Sequence, residues 1–311
     1  MQYRTLGHTG LKVSALSFGG SSLGSAFRRI DEGAGIRAVH TALDHGINLI
    51  DTAPYYGATT AETVLGKALR GVPRDKYYLA TKVARYGPEE KDFDFSAERV
   101  TASVDESLAR LGVDYVDFIQ VHDMEFGNLE QIVNETIPAL QKVKSAGKAR
   151  LVGISCLPVR LFRAVLDRVQ VDQIQSYCHY CLNDTALADW LPYLQQKGVA
   201  IFNSAPLAMR LLSNEGPPAW HPAPAALRAK CAEAAALCRA RGADLGKLAL
   251  QFSLANPDIP THIVGTADPQ RVLQNLRDIA EPLDEALLAE VLKILAPVHN
   301  LSWPSGRKEN N

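Results

Sequence analysis

Short apolar runs rich in β-branched residues alternate with longer segments of helical period along most of the chain. Eight runs are predicted to be β-strands, at residues 15–18, 48–51, 77–82, 115–121, 149–155, 171–176, 199–204 and 261–265. The segments between them are amphipathic. In residues 96–111, for example, apolar side chains recur at three- and four-residue steps, and Ser96 can cap the first turn.

Strand and helix alternating eight times implies parallel strands with right-handed crossovers. This pattern predicts an α/β fold of the (β/α)₈ TIM-barrel type, for which ~250 residues is typical. The chain has 311 residues, and the surplus fits an N-terminal β-hairpin at 3–13, a loop at 207–224 and C-terminal extra helices. We expect one domain over 1–311, although the Pro-rich part of the loop could instead be a linker. A doubly wound dinucleotide-binding fold is the main structural rival, but the G-x-G-x-x-G spacing it requires is missing after the first strand.

Composition and charge narrow the class of ligand. Lys plus Arg total 33 and Asp plus Glu total 34, so no overall field favours nucleic acid or an anionic membrane. The sequence shows no secretory leader and no apolar run near the ~20 residues that span a bilayer. Five cysteines, an odd number, form a poor disulfide framework. We therefore expect a cytoplasmic protein that binds a small, roughly neutral molecule.

Active sites of such barrels lie at the carboxyl ends of the strands, where four polar residues stand out. Asp51, Lys82 and His122 close or follow the second, third and fourth predicted barrel strands, and Tyr56 lies on the loop after the second. A neighbouring cation lowers the pKa of a phenol from ~10, and a carboxylate keeps a buried lysine charged. Each residue alone also fits a turn, cap or packing role. Together they predict an acid–base site in which Lys82 activates Tyr56, Asp51 keeps Lys82 charged and His122 orients a substrate oxygen or relays its proton.

These residues resemble the Asp, Tyr, Lys and His tetrad of the aldo-keto reductase family, and DTAPYYG is the most specific match. The resemblance extends over nearly the whole chain. It is greatest to the plant-type branch that oxidises aldoses, through FDFSAERV, QIVNETIPALQK, GPPAWHPA and LSWPSG. It implies that an L-galactose-like sugar is oxidised at C1 to the lactone. The implied hydride acceptor is a nicotinamide cofactor bound without a Rossmann fold.

The resemblance also assigns cofactor contacts by motif position. It places the nicotinamide against Gly20, Ser21, Ser155, Gln175, Ser204 and Leu207, and the adenosine end against Gly265, Arg271, Gln274 and Asn275. Three positions depart from the common family pattern: Cys156 replaces Asn, Ser204 replaces a stacking aromatic residue, and Gly265 replaces a basic residue. Because a 2′-phosphate requires paired charge, these departures favour NAD. Arg271 favours NADP, so NADP stays an alternative.

The loops after Lys82 and His122 offer polar partners for sugar hydroxyls, namely Arg85, Tyr86, Asp123 and Glu125, and Trp220 or Trp303 could cover a sugar face.

Three other functions are alternatives to aldose oxidation. A general NADPH-dependent aldehyde and ketone reductase would use the same tetrad. A nicotinamide-binding regulatory subunit would have little catalytic activity. A glycosidase would need Asp123 and Glu125 on opposite sides of a sugar, which one short loop does not favour. A single C-x-x-C motif at 178–181 is more typical of packing than of a metal site, and we expect no metal.

Overall fold

The computed structural model describes residues 1–25 and 29–311. Eight parallel strands close into a barrel in the order β10, β3, β4, β5, β6, β7, β8, β9, so the predicted fold is confirmed. The strands are β3 (Leu16–Gly19), β4 (Leu49–Asp51), β5 (Tyr78–Val83), β6 (Val116–Val121), β7 (Ala149–Cys156), β8 (Gln173–Tyr177), β9 (Ala200–Ser204) and β10 (Thr261–Gly265). Each begins and ends within two residues of its predicted bounds.

The described residues form eleven α-helices, most of them in the crossovers between barrel strands. They are α1 (Glu32–Asp44), α2 (Thr60–Leu69), α3 (Ala97–Leu111), α4 (Leu129–Gln131), α5 (Ile137–Ser145), α6 (Arg160–Leu166), α7 (Leu191–Lys197), α8 (Ala225–Ala240), α9 (Leu245–Ala255), α10 (Pro269–Ala280) and α11 (Glu285–Leu295). A π-helical segment, Ile132–Thr136, joins α4 to α5. Helix α3 matches its prediction, since the Ser96 side chain accepts a hydrogen bond from the amide of Arg99 and Gly112 ends the helix with a φ of 68°.

Two helices lie outside the strand–helix alternation. Helix α11 follows α10 at the C-terminal side, as predicted, and it packs against α8, which is inserted between β9 and α9. The segment before α8, residues 205–224, forms turns and irregular backbone without a helix or strand, as predicted for the loop. The extra helices thus form a pair, one member of which precedes the last barrel strand.

The N-terminal hairpin closes the end of the barrel opposite the predicted site. Strands β1 (Tyr3–Thr5) and β2 (Lys12–Ser14) pair antiparallel across a 3₁₀ turn. Leu6 and Val13 are fully buried and pack with the barrel residues Phe118 and Phe202, whose rings meet edge to face at 5.0 Å. This apolar plug fills the lower barrel, because parallel barrels bury inward-facing side chains in layers.

Above the plug the barrel interior becomes polar. Gln120 and Gln173 point inward from β6 and β8, and the strand between them contributes Gly153. A Cβ at Gly153 would overlap the side-chain oxygen of Gln173 and lie 3.1 Å from Cγ of Gln120. Glycine therefore makes room for a layer of amides beneath the carboxyl ends of the strands. No helix in the described ranges has both the length and the apolar character to cross a lipid bilayer.

Candidate active site

Neighbouring strand ends place Asp51 and Lys82 in direct contact. Asp51 is the last residue of β4, and Lys82 lies near the end of β5. The Lys82 Nζ donates to Asp51 Oδ1 at 2.8 Å, to Oδ2 at 2.7 Å and to the carbonyl oxygen of Thr52 at 2.8 Å. Only 1% of the Lys82 side chain and 3% of the Asp51 side chain are exposed. The ammonium is thus held by three short hydrogen bonds inside the barrel.

The phenol of Tyr56 lies over this ion pair. Its hydroxyl is 3.4 Å from Lys82 Nζ. The loop that carries it fits closely against the 3₁₀ turn Gly20–Gly24, because a Cβ at either Gly24 or Gly57 would overlap the facing backbone. Gly57 also has a φ of 63°, which favours glycine. The glycine after the two tyrosines therefore allows the loop to bring Tyr56 over the strand ends.

Burial and the neighbouring charges act in opposite directions on the pKa values of Lys82 and Tyr56. Burial lowers the pKa of Lys82, but the Asp51 carboxylate and the Tyr56 phenol outweigh it and raise the pKa above its ordinary value. Burial raises the pKa of Tyr56 to about 12, although Lys82 acts to lower it. Lysine therefore stays charged, and its effect on Tyr56 has the predicted direction. In the free protein, however, burial is the stronger influence on the phenol.

His122 completes the group directly after β6. Its ring meets that of Tyr56 edge to face, with centroids 5.7 Å apart. Burial lowers the pKa of His122 to about 3, with Lys82 and Arg85 also disfavouring the cation. The imidazole is consequently neutral at neutral pH, which leaves one ring nitrogen to donate and one to accept.

Two glutamines also contact Asp51. Gln120 Nε2 donates to Asp51 Oδ1 at 3.2 Å, and Gln175 Nε2 lies 3.5 Å from Oδ2. Gln175 was predicted as a cofactor contact, whereas Gln120 was not named. A fully buried amide among the apolar residues Phe118, Ile119 and Val121 is the signal that could have identified it.

Glycines make close contacts with neighbouring chain where β3 and β10 end, and two of them, Gly20 and Gly265, are predicted cofactor residues. A Cβ at Gly20 would lie 3.0 Å from the carbonyl oxygen of Asp51, and one at Gly265 would lie 2.9 Å from Oγ of Ser21. Glycine at Gly19 is similarly enclosed by the backbone of Gly265. These glycines are required by close packing within the protein, because a side chain at any of them would press against neighbouring atoms of the chain.

The opposite side of the mouth presents hydrogen-bonding groups. Gln175 donates to Ser204 Oγ at 2.8 Å, while its buried side-chain oxygen has no donor among the described residues. Ser155 Oγ accepts from the amide of Asp123 at 3.1 Å. An unpaired amide acceptor near the strand ends suits the carboxamide of a nicotinamide ring. These residues therefore fit the cofactor that the sequence predicts.

The remaining predicted cofactor residues lie farther out. Leu207 lies in the loop after β9 and packs beside Gly246 of α9. In helix α10, Arg271 is exposed and has no carboxylate partner among the described residues, and Asn275 is half-buried. The Gln274 amide is bonded within the helix, donating to Asp278 and accepting from Arg277, each at 2.7 Å. Arg271 is thus an exposed cation at the predicted adenosine end of the cofactor site.

Of the four residues predicted to contact substrate, Arg85 and Asp123 form an ion pair beside His122. The other two turn away from the mouth. Tyr86 accepts from the amide of Ala84 at 3.1 Å and lies under the guanidinium of Arg99 in α3. Glu125 is fully buried. The structure therefore does not bring Tyr86 and Glu125 together with Tyr56.

Glu125 instead anchors the end of the chain. Its Oε1 accepts from the Ser305 hydroxyl at 2.9 Å, the Tyr177 hydroxyl at 3.1 Å and the amide of Leu157 at 3.2 Å. Its carbonyl oxygen accepts from Asn310 at 2.8 Å. Burial raises the pKa of Glu125 to about 8, with the Asp123 carboxylate adding to the effect. A glycosidase pair formed by Asp123 and Glu125 is inconsistent with this placement.

Two further groups were considered from the sequence. Trp220 and Trp303 lie on either side of His221, with ring centroids 6.2 and 5.1 Å from it. Cys178 and Cys181 are buried and unbridged, and burial raises the pKa of both thiols above the ordinary value. Among the described residues no cluster of three or more histidine, cysteine or acidic side chains could hold a metal ion.

Comparison with known proteins agrees with this geometry. The sequence profile of the Aldo/keto reductase family matches residues 15–296. L-Galactose dehydrogenase from Arabidopsis thaliana is 50% identical over 100% of this chain and 99% of its own length. D-Arabinose 1-dehydrogenase from Saccharomyces cerevisiae is 32% identical over 78% of this chain and 76% of its own.

Solved structures extend the likeness to three dimensions. An aldo-keto reductase from Bacillus halodurans in its holo form superposes with a TM-score of 0.78 at 29% identity, covering 100% of this chain and 99% of that one. Glycerol dehydrogenase from Gluconobacter oxydans gives 0.74 at 25% identity, with 98% of each chain covered. The match to the family profile covers the barrel and the tetrad positions, and the chain belongs to the aldo-keto reductase family of oxidoreductases.

Proposed function

We propose that the protein is an aldose 1-dehydrogenase that oxidises the C1 hydroxyl of an L-galactose-like sugar to the lactone, with NAD as the preferred hydride acceptor. The observation that carries the reaction type is the Tyr56 hydroxyl lying 3.4 Å from the charged Lys82 at the strand ends. The sugar class is supported by the relatives named for L-galactose and D-arabinose.

Tyr56 acts as the general base in this proposal. Its oxygen takes the proton of the C1 hydroxyl while a hydride leaves C1, so that the C1–O bond becomes the lactone carbonyl. A bound oxidised nicotinamide supplies the acceptor for that hydride. Lys82 stabilises the phenolate, and Asp51 keeps Lys82 charged. Neutral His122 donates a hydrogen bond to the reacting oxygen and holds it toward Tyr56.

The residues around the barrel mouth bear on whether the cofactor is NAD or NADP. Gly20 would lie on the nicotinamide side, and the unpaired side-chain oxygen of Gln175 would accept from the nicotinamide carboxamide. Gly265 adds no cation for a 2′-phosphate, which favours NAD, whereas exposed Arg271 could bind that phosphate. Five free, buried cysteines suit a reducing compartment, and we place the protein in the cytoplasm.

Product analysis tests the reaction type. Purified protein with L-galactose and NAD should give the lactone in amounts equal to the reduced nicotinamide formed. The rival reading, a general reductase, would show rapid NADPH-dependent turnover of simple aldehydes and ketones and no lactone. Comparing NAD with NADP in the wild type and in Arg271→Ala then tests the cofactor. We expect the variant to weaken NADP use about tenfold or more and to leave NAD use nearly unchanged.

A further inference from the structure

The ion pair of Arg85 and Asp123 lies next to the reacting centre but takes no part in the proton transfer described above. Asp123 Oδ2 lies 3.8 Å from His122 Nε2, which is too long for a hydrogen bond. The pair is well enclosed, with 17% of the Arg85 side chain and 6% of the Asp123 side chain exposed. A charged pair therefore lies beside the imidazole that is proposed to hold the reacting oxygen.

Aromatic rings fix the guanidinium of Arg85. Its central carbon lies 3.7 Å from the centroid of the Tyr55 ring, and Phe93 and Phe126 flank it at 5.2 and 5.6 Å. Stacking of this kind holds the planar fork in one orientation. Arg85 is thus a preorganised donor rather than a mobile surface cation.

The backbone on both sides of the pair is strained. Asp123 has φ 50° and ψ 57°, and Ala84, directly before Arg85, has a φ of 78°. A left-handed conformation costs a non-glycine residue roughly 1–2 kcal/mol. Such strain persists only where the surroundings hold it, and it clusters at sites of function. Here the amide of Asp123 is held by Ser155 Oγ at 3.1 Å.

The pair also retains unused hydrogen-bonding capacity. Arg85 directs Nη1 to Asp123 Oδ2 and Nε to the carbonyl of Gly87 at 3.4 Å. In the described ranges no group accepts from Arg85 Nη2, and no group donates to Asp123 Oδ1. A hydroxyl both donates and accepts, so it matches a donor and an acceptor side by side. A sugar ring oxygen only accepts, and the carboxylate would repel it.

Building on the proposed function, we propose that Arg85 and Asp123 form the subsite for the hydroxyl on C2, the carbon next to the one oxidised, and so select polyhydroxylated aldoses. With the C1 oxygen on Tyr56 and His122, a hydroxyl on the neighbouring carbon can reach Asp123, because Asp123 Oδ2 lies 3.8 Å from His122 Nε2. Sites built to hydrogen-bond a hydroxyl discriminate strongly against analogues that lack it, since their polar groups are left unpaired.

The test compares L-galactose with 2-deoxy-L-galactose by the ratio of their kcat/KM values in each enzyme. The ratio does not depend on the fraction of protein that is folded. We expect wild type to prefer the parent sugar by about 100-fold or more, and Asp123→Asn and Arg85→Met each to reduce that preference at least about tenfold. Asp167→Asn, which alters an exposed carboxylate bonded to Lys197 and Tyr193, serves as the matched control and should keep the wild-type ratio.

The outcomes separate the two proposals. If wild type oxidises neither sugar, the proposed function fails. If wild type oxidises L-galactose but both variants slow the two sugars by the same factor, the C2 subsite is wrong while the function stands. A wild-type enzyme that oxidises the 2-deoxy sugar as efficiently as the parent would also overturn the subsite.

Discussion

The ammonium of Lys82 lies 2.7 Å from the carboxylate of Asp51 inside the barrel, and both side chains are almost wholly shielded from water. Taking a charge out of water is costly, and only the partner makes it tolerable. This relationship explains how a lysine can remain charged beneath Tyr56, since Asp51 and the phenol overcome the effect of burial on the Lys82 pKa.

Breaking this ion pair should destabilise the fold. We expect Asp51→Asn to lower the free energy of unfolding by about 3–5 kcal/mol, because it leaves a buried ammonium without its counterion. Adding Lys82→Met should restore part of the loss, giving a coupling energy of at least about 1 kcal/mol in a double-mutant cycle. Urea unfolding measures all four proteins. Strictly additive losses would show that the two groups are not coupled.

Removing the phenolic oxygen should abolish proton transfer while keeping the ring. We expect Tyr56→Phe to lower kcat with L-galactose by about 10²–10⁴-fold, the usual contribution of a positioned acid or base. Tyr193→Phe removes a phenol that bonds to Asp167 and is the matched control. A Tyr56→Phe enzyme with near-wild-type kcat would remove Tyr56 from the mechanism.

The pH dependence of oxidation follows from the two shifted groups. Burial raises the pKa of Tyr56 to about 12, so the basic form is scarce at neutral pH and grows as pH rises. Burial also lowers the pKa of His122 to about 3, so the imidazole stays neutral above pH 5. We therefore expect kcat/KM to rise steadily from pH 6 to 8.5, without an inflection near the ordinary pKa of histidine. Initial rates across this range test the prediction, and a flat profile would contradict it.

Glu125 should make stability fall as pH rises. Burial raises its pKa to about 8 in the folded protein from 4.5, so between these values the folded state keeps a proton that the unfolded state has lost. This contribution is fully present below pH 4.5 and is lost as pH rises through about 8. Glu125→Gln retains an acceptor for Ser305 and Tyr177 and does not ionise. Relative to wild type it should be at least about 1 kcal/mol more stable at pH 8 than at pH 5.

Thermal or urea unfolding at the two pH values measures this difference. Glu135→Gln supplies the control, because that carboxylate accepts from the amide of Ala97 and lies apart from the tail. An equal effect of Glu125→Gln at both pH values would mean that Glu125 ionises normally in the fold.

Much of the barrel could be predicted because its signals are local. Each strand is a short apolar run, and Ser96 with Gly112 marks the ends of one helix. The clustering of the four residues was predictable for the same reason, since Asp51, Lys82 and His122 lie at or just after the carboxyl ends of neighbouring strands. The packing of α8 against α11 was harder to predict from the sequence, because it joins segments that are distant in the chain.

The parts of the site that escaped prediction depend on side-chain direction. Glu125 follows Asp123 by only two residues, yet its carboxyl points into the protein and binds Ser305 near the end of the chain. Sequence proximity suggested a shared substrate role for both, whereas Asp123 precedes the 3₁₀ turn Met124–Phe126 and Glu125 lies within it. Gln120 was missed because an inward position on a barrel strand is not identified by an alternating pattern when the whole strand is buried.

The most direct test of the central claim is the initial rate of reduced-nicotinamide formation by purified wild-type protein supplied with L-galactose and NAD. The account predicts steady, enzyme-dependent turnover with NAD that is lost in Tyr56→Phe. The absence of turnover with L-galactose and related aldoses, combined with rapid NADPH-dependent reduction of simple aldehydes, would contradict it.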